Sequence, residues 1–383
     1  MTTLTLVAEP FPDWEAPVQA AAARALADAL AETAPRGCSV RVLVARDSEA
    51  PVFDSPRIAV EQVPMPLGSL PFLWQATATA RPLDGEMTHA VSPMMPLRSR
   101  REDGSQATIT VPHGLAWESP ELLTATQARL TRSFVKRAVK HADVIVTGSH
   151  ATAALLQQHY GDDLAVRVIT PAAPTPFLAG DDAAARREAL ELPEQYLVTT
   201  ANDDAYGRLE WAFEALRTDP SLPHLVVITG LDPAPQTKAS RGAASAGAGS
   251  PEPAERIPEE LRGRVAVVPS TDLSDVGAVL SGARMLVQPQ SFAASGYAVI
   301  AALTAEVPVL HAGVDATAEL AFDGGLGEPE RLGFVSALSR LFIASVGDGT
   351  SELEQLAVHA SDRGRAFSWS SAAWQLWEAH ASI

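Results

Sequence analysis

Residues 284–313 read RMLVQPQSFAASGYAVIAALTAEVPVLHAG. Two short apolar runs, RMLVQPQ at 284–290 and VPVLHAG at 307–313, bracket a turn with one glycine and an apolar helical stretch, SGYAVIAALTA. Strand, helix and strand within about 30 residues is the βαβ unit, whose two strands must run parallel. Continuous apolar strands, rather than alternating ones, mark a sheet covered on both faces.

The same alternation extends upstream. QYLVTTAN, HLVVITG and RVAVVPS read as strands, and GRLEWAFEALRT and LSDVGAVLSGA as helices. A stretch rich in proline, alanine and charge, TPAAPTPFLAGDDAAARREALELPEQ, precedes them and reads as a linker with a short helix. Before it the pattern occurs once already. TLTLVAE, SVRVLVAR, MTHAVSP, ATITVPH and DVIVTGS read as strands, with helices over PVQAAAARALADALAETA, 121–142 and 151–159. The expected architecture is α/β: two doubly wound, Rossmann-like domains in succession. The boundaries are 1–175, a linker at 176–193, 194–360, and a terminal helix at 361–383. Residues 232–258, rich in Ala, Gly, Ser and Pro, cannot bury a core and read as a surface loop.

The chain has 383 residues, enough for two domains. Its net charge of −17 argues against nucleic acid as a partner, because duplex binding needs a basic footprint. A single cysteine, Cys38, excludes an internal disulfide framework and fits a reducing cytosol. There is neither a signal-peptide pattern nor an apolar run long enough to span a bilayer, so a cytoplasmic location is expected. No His/Cys spacing suggests a metal site.

Several motifs carry a family resemblance. VPHGLAW, KHADVIVTGSHAT, LSGARMLVQPQSF, EVPVLHAGVDATAEL and RAFSWSSAAWQLWEAH, in this order, resemble the GT-B glycosyltransferases. Within these they are similar to the family-4 retaining enzymes, many of them bacterial mannosyl- or glucosyltransferases. The resemblance covers nearly the whole chain. It implies two domains facing a central cleft, with the first on the acceptor side and the second on the nucleotide-donor side. It also implies a closing helix that crosses back to the first domain, a nucleotide-diphosphate sugar as donor, and no cofactor or metal.

The resemblance further implies which residues do the chemistry. Charge develops on the departing diphosphate, so cations and helix N-terminal N–H groups placed there lower the barrier. The family supplies an Arg and a Lys after the first strand of its second domain. In VTTANDDAYGRLEW those positions hold Tyr206 and Gly207, with Asp203 and Asp204 just before and Arg208 one or two positions late. Two family glutamates eight residues apart map to Ala293 and Ala301, and no Asp or Glu occurs between Met285 and Thr304 in any register. The glycine between them survives as Gly296. Main-chain N–H groups around Ser295, Gly296, Tyr297 and Ala298 are therefore donor-binding candidates, with Arg208 and the retained acid Glu319. His113 keeps the family's histidine as the catalytic candidate, while Gly114 replaces its aspartate. A neutral histidine that merely ends a strand is the other reading of His113.

Two further features stand outside the donor site. Arg129, Arg132, Lys136 and Lys140 recur at helical spacing with Arg137 beside them, a basic face for anionic lipid or a phosphorylated acceptor, or else a solvated helix side. Residues 323–327 are glycine-rich and read as a loop. Two functions follow. One is a non-catalytic relative that partners an active glycosyltransferase or binds a glycan. The other is an active retaining enzyme that transfers a hexose to a cell-envelope glycan or lipid-linked acceptor at the inner face of the membrane.

Overall fold

The computed structural model describes residues 2–76, 87–97, 105–231, 257–343 and 351–383. The segment 232–258, expected as a surface loop, lies outside these apart from Ile257 and Pro258. The chain divides into two compact units. The first comprises Met1–Pro120, Thr124–Ala172 and Ser368–Ile383; the second comprises Glu121–Leu123 and Ala173–Phe367.

The first unit is built from β1 (Thr2–Val7), α1 (Ala16–Glu32), β2 (Cys38–Ala45), β3 (Ile58–Val63), α2 (Leu70–Gln75), β4 (Met87–Ala90), β5 (Gln106–Val111), α3 (Leu115–Glu118), α4 (Ala125–His141), β6 (Val144–Thr147), α5 (His150–Tyr160) and β7 (Val166–Val168). Its sheet runs β3-β2-β1-β4-β5-β6-β7 with parallel neighbours. Strand order reverses between β1 and β4. Leu4 and Leu6 of β1 enter one core with Leu30 and Val42, while Val7 enters another with Leu43 and Ile109. Burial on both faces explains why these strands are apolar throughout.

The second unit continues with α6 (Ala183–Ala189), β8 (Tyr196–Thr199), α7 (Leu209–Thr218), β9 (His224–Thr229), β10 (Val265–Pro269), α8 (Leu273–Gly282), β11 (Met285–Gln288), α9 (Tyr297–Thr304), β12 (Val309–His311), α10 (Asp315–Ala321), β13 (Gly325–Gly327), α11 (Arg331–Leu341) and α12 (Glu352–Gly364). Its parallel sheet runs β10-β9-β8-β11-β12-β13, and the order reverses between β8 and β11. The expected linker region carries α6, whose Arg186 is held by Asp182, Asp272 and Asp275 at 2.7–2.8 Å.

Three strands escape the sequence pattern. β3, IAVEQV, is an exposed edge, and β7 has three residues. The glycine-rich stretch at 323–327 is not wholly a loop: Gly325–Gly327 pairs with Val309–His311 as the edge strand β13. A Cβ at 327 would make a tight contact with the His311 ring, at 3.0 Å.

The last helix, α13 (Trp369–Ala381), belongs to the first unit. Ala372, Ala373, Leu376 and Trp377 share the core of Leu4 and Leu30, and Trp377 Nε1 donates to the Leu30 carbonyl at 3.2 Å. His380 lies 3.0 Å from Gln106 Oε1 and 3.2 Å from Thr108 Oγ1, and Thr108 lies 2.8 Å from His89 Nδ1. Burial lowers His380 to about 4. It lowers His89 to about 3, with the His380 charge adding to the effect.

Candidate functional site

In open parallel sheets ligands settle beyond the carboxyl ends of the strands, where strand order reverses. Each unit has such a corner, and the two are furnished differently.

In the second unit the loops after β8 and β11 meet. The Tyr206 carbonyl accepts from Ser291 N at 2.8 Å, which ties the loops together. Asp204 Oδ1 accepts from Tyr206 N at 2.8 Å and Gly207 N at 2.7 Å, so this carboxylate shapes the turn. The turn explains Gly207: a Cβ there would collide with the Asn202 carbonyl oxygen and lie 2.7 Å from its nitrogen. Arg208 follows with φ 56°, a left-handed conformation uncommon outside glycine, and its guanidinium lies 4.7 Å above the Trp211 ring.

Beneath the loops, Thr200 Oγ1 accepts from Gln290 Nε2 at 3.0 Å and from Gln288 Nε2 at 3.3 Å. Neutral amides therefore occupy the switch point. Gly296 precedes α9 with φ 75°, and any Cβ there would strike Leu320. Ala293, Tyr297 and Ala298 are half-buried, and Ser295 is buried. Ala301 is 1% exposed and packed inside the unit. Glu319 is half-buried in α10, where its main-chain carbonyl accepts from Arg363 at 3.0 Å. The sequence candidates Tyr206, Gly207, Arg208, Ala293, Ser295 and Gly296 thus share the β8–α7 and β11–α9 loop pair.

The first unit places His113 just after β5, where it is 6% exposed. Its Nε2 lies 3.8 Å from Asp13 Oδ2 and 3.9 Å from Glu15 Oε2. Burial works against the charged imidazole, but Asp13 and then Glu15 outweigh it and hold the pKa above the ordinary histidine value. Asp13 Oδ1 accepts from Glu15 N at 2.9 Å, and Glu15 Oε2 accepts from Gln19 Nε2 at 2.9 Å. Gly114 is closed by Leu155, with Glu118 Oε2 at 3.0 Å from a would-be Cβ. Asp13, Trp14, Glu15 and Gln19 were not among the sequence candidates. The signal was present in FPDWEAP, two acids around a tryptophan directly after the first strand.

The basic face lies on α4. Arg129, Arg132, Lys136 and Lys140 are exposed and Arg137 is half-buried. Arg132 Nε donates to the Ala116 carbonyl at 2.7 Å and Arg137 to the Trp74 carbonyl at 3.0 Å, so these two also brace the fold. Ser149 caps α5 by accepting from Thr152 N at 3.1 Å. No helix among the described residues is long and apolar enough to cross a membrane.

Comparison with known proteins completes the description. Residues 19–175 match the family described as Glycosyltransferase Family 4. A search of curated protein sequences finds no match. Among solved structures, sucrose-phosphate synthase from Thermosynechococcus elongatus is 17% identical with a TM-score of 0.69, covering 100% of this chain and 99% of that one. Anabaena HepE in complex with UDP-glucose is 14% identical with a TM-score of 0.62, covering 100% of both chains. A glycosyltransferase from Rickettsia africae is 11% identical with a TM-score of 0.64, covering 100% of this chain and 98% of that one. Residues 19–175 thus resemble the Glycosyltransferase Family 4 domain, and the chain's two parallel α/β units have the fold of the GT-B glycosyltransferases.

Proposed function

We propose that this glycosyltransferase-fold protein is impaired at its donor site and acts as a non-catalytic partner of an active transferase or as a glycan-binding relative. The observation that carries this reading is the loop pair of the second unit. Gly207, at a cation position, is closed by the Asn202 backbone, and no acid lies between Met285 and Thr304. Losing one transition-state contact typically costs about 3–4 kcal/mol. Here two cations and two acids are missing together. Calorimetric titration of the intact chain with UDP-glucose and a set of other UDP- and GDP-sugars tests it. Absence of binding is the expected result. Micromolar binding with product formation overturns it.

One observation favours the second reading, an active hexosyltransferase. Arg208 is held in a left-handed backbone conformation beside the donor loops, and such strain concentrates at functional positions. On this reading Arg208 supplies the missing cation, and Arg208→Ala abolishes nucleotide-sugar binding. The acceptor would be a cell-envelope glycan or lipid-linked sugar. The exposed charges on α4 would hold the protein to an anionic bilayer at its cytoplasmic face. Flotation with anionic vesicles tests the latter. Charge reversal at Arg129, Lys136 and Lys140 spares the bracing arginines and should release the protein.

A further inference from the structure

Helix α13 is fastened to the first unit's sheet by a buried polar chain that lies apart from the loops at the strand ends. His380, His89, Thr108 and Thr88 are each at most 3% exposed. The chain runs in series from α13 into β5 and β4. Gln106 Oε1 lies 3.0 Å from His380 Nδ1, and His380 Nε2 lies 3.2 Å from Thr108 Oγ1. Thr108 Oγ1 lies 2.8 Å from His89 Nδ1, and His89 Nε2 lies 3.1 Å from Thr110 Oγ1. The Gln106 oxygen only accepts, so His380 Nδ1–H donates to it and His380 Nε2 accepts from the Thr108 hydroxyl. Thr108 Oγ1 in turn accepts from His89 Nδ1–H, and His89 Nε2 accepts from the Thr110 hydroxyl. Every ring nitrogen is used, with both imidazoles neutral. A proton added to either ring sets an N–H against a hydroxyl hydrogen in a buried place. The carboxylate that acts on His380 is Asp143, ahead of β6, and its Oδ2 already accepts from Ala107 N at 2.9 Å. Glu378 of α13 is exposed, and on α1 the charges of Arg24 and Glu32 act on Asp28.

We infer that this chain is an acid-released latch: it holds α13 on the sheet while both imidazoles are neutral, and it lets α13 come away from a still-folded sheet when they take up protons. The strands are tied to one another by main-chain ladders, β4 to β1 and β5, and β5 to β6. No imidazole enters those ladders, whereas α13 is held by side chains: the polar chain, Trp377 and the apolar contacts of Ala372, Ala373 and Leu376. Once α13 leaves, both rings reach water and regain the ordinary histidine value of 6.5; docked, burial holds them at about 4 and about 3. Docking keeps this contribution in full above the ordinary value and loses it as pH falls toward the docked values. Each ring shifts the balance toward release by about tenfold per pH unit in that window. All these residues lie in the first unit, so the latch works whether or not the second unit binds a nucleotide sugar.

Cys38 reports the release. It is the one cysteine of the chain, and it packs against the core that α13 shares with Leu4 and Leu30. The test follows the reaction of Cys38 with a dipyridyl disulfide, which attacks thiols in mild acid, on the full chain between about pH 7 and pH 4.5. Rates are divided by those of the urea-unfolded chain at the same pH. Hydrogen exchange read by mass spectrometry on the same samples compares residues 369–381 with β1 and β5. Between pH 6 and pH 5 the protection of Cys38 should fall about a hundredfold, from two rings at about tenfold each. Residues 369–381 should exchange ahead of the strands. His380→Asn and His89→Gln each remove one titrating ring and keep a polar side chain, so each should reduce that fall to about tenfold. Thermal melts establish that the variants fold; if one does not, the other carries the test. Protection of Cys38 that does not change with pH, an equal fall in wild type and folded variants, or loss of exchange protection in the strands together with 369–381 overturns the inference.

Discussion

The corners after β1 and after β8 occupy the same position in two units of the same kind, and they treat charged groups differently. After β8 the loops bond to one another: Asp204 binds two backbone N–H groups, Tyr206 O binds Ser291, and Thr200 binds two glutamines. After β1, buried groups of opposite sign face one another at ion-pair distance, and several polar atoms have no hydrogen-bond partner among the described residues. A doubly wound unit offers the place for a ligand, but the loops decide whether that place is set for one.

The sharpest way to break this comparison is to remove the histidine that faces the two acids. His113→Ala removes the positive charge that faces Asp13 and Glu15 and should cost about 3–5 kcal/mol in urea unfolding. A loss below about 1 kcal/mol would mean that the carboxylates are not held charged. The sign with pH follows from the raised pKa. The imidazolium's contribution is complete below the ordinary histidine value and fades as pH rises through the higher folded value. The gap between wild type and variant therefore narrows in mildly alkaline solution.

The reciprocal change puts a cation into the corner after β8. Gly207→Lys drives a Cβ into the Asn202 backbone, so it should destabilise by about 2–3 kcal/mol and restore no nucleotide binding. A stable Gly207→Lys protein that binds UDP-glucose would show the loop to be adaptable and would erase the contrast.

A third change separates the His113 corner from the histidines that dock α13. His380 and His89 are lowered to about 4 and about 3, so both stay neutral in the fold and charge on unfolding. Their contribution is complete above the ordinary value and is lost as pH falls toward the folded values. Between pH 7 and pH 4.5 each accounts for about 2 kcal/mol of lost stability. His380→Asn should flatten this acid limb, whereas His113→Ala leaves it in place. Equal slopes in wild type and His380→Asn would refute the assignment.

The smallest expected effect compares two helix starts. Ser149→Ala removes the side-chain cap of α5 and should cost about 1 kcal/mol. Gly296→Ala, which forces a side chain into positive φ against Leu320, should cost about 1–3 kcal/mol. Melting temperatures of the two variants rank them.

Much of the fold was legible because it rests on local patterns. TLTLVAE, HLVVITG and RMLVQPQ are apolar on both sides, and only a parallel sheet between helices accepts such strands. β3 was not legible, since an exposed edge strand keeps polar residues, and neither was β13, whose glycines look like a turn. In the stretch from Met285 to Thr304 the absence of acids could be read from the sequence alone. The cluster around His113 could not, because Asp13 and Glu15 precede it by about a hundred positions, and nothing local records which loop folds over which strand end.

The sequence by itself determined two runs of alternating strand and helix and the lack of acids from Met285 to Thr304, because periodicity and composition are properties of the chain order. Only the tertiary structure decided that a side chain at Gly207 would meet the Asn202 backbone and that His113 faces two buried carboxylates. Those are distances between residues remote along the chain, set by how the loops close over the strand ends.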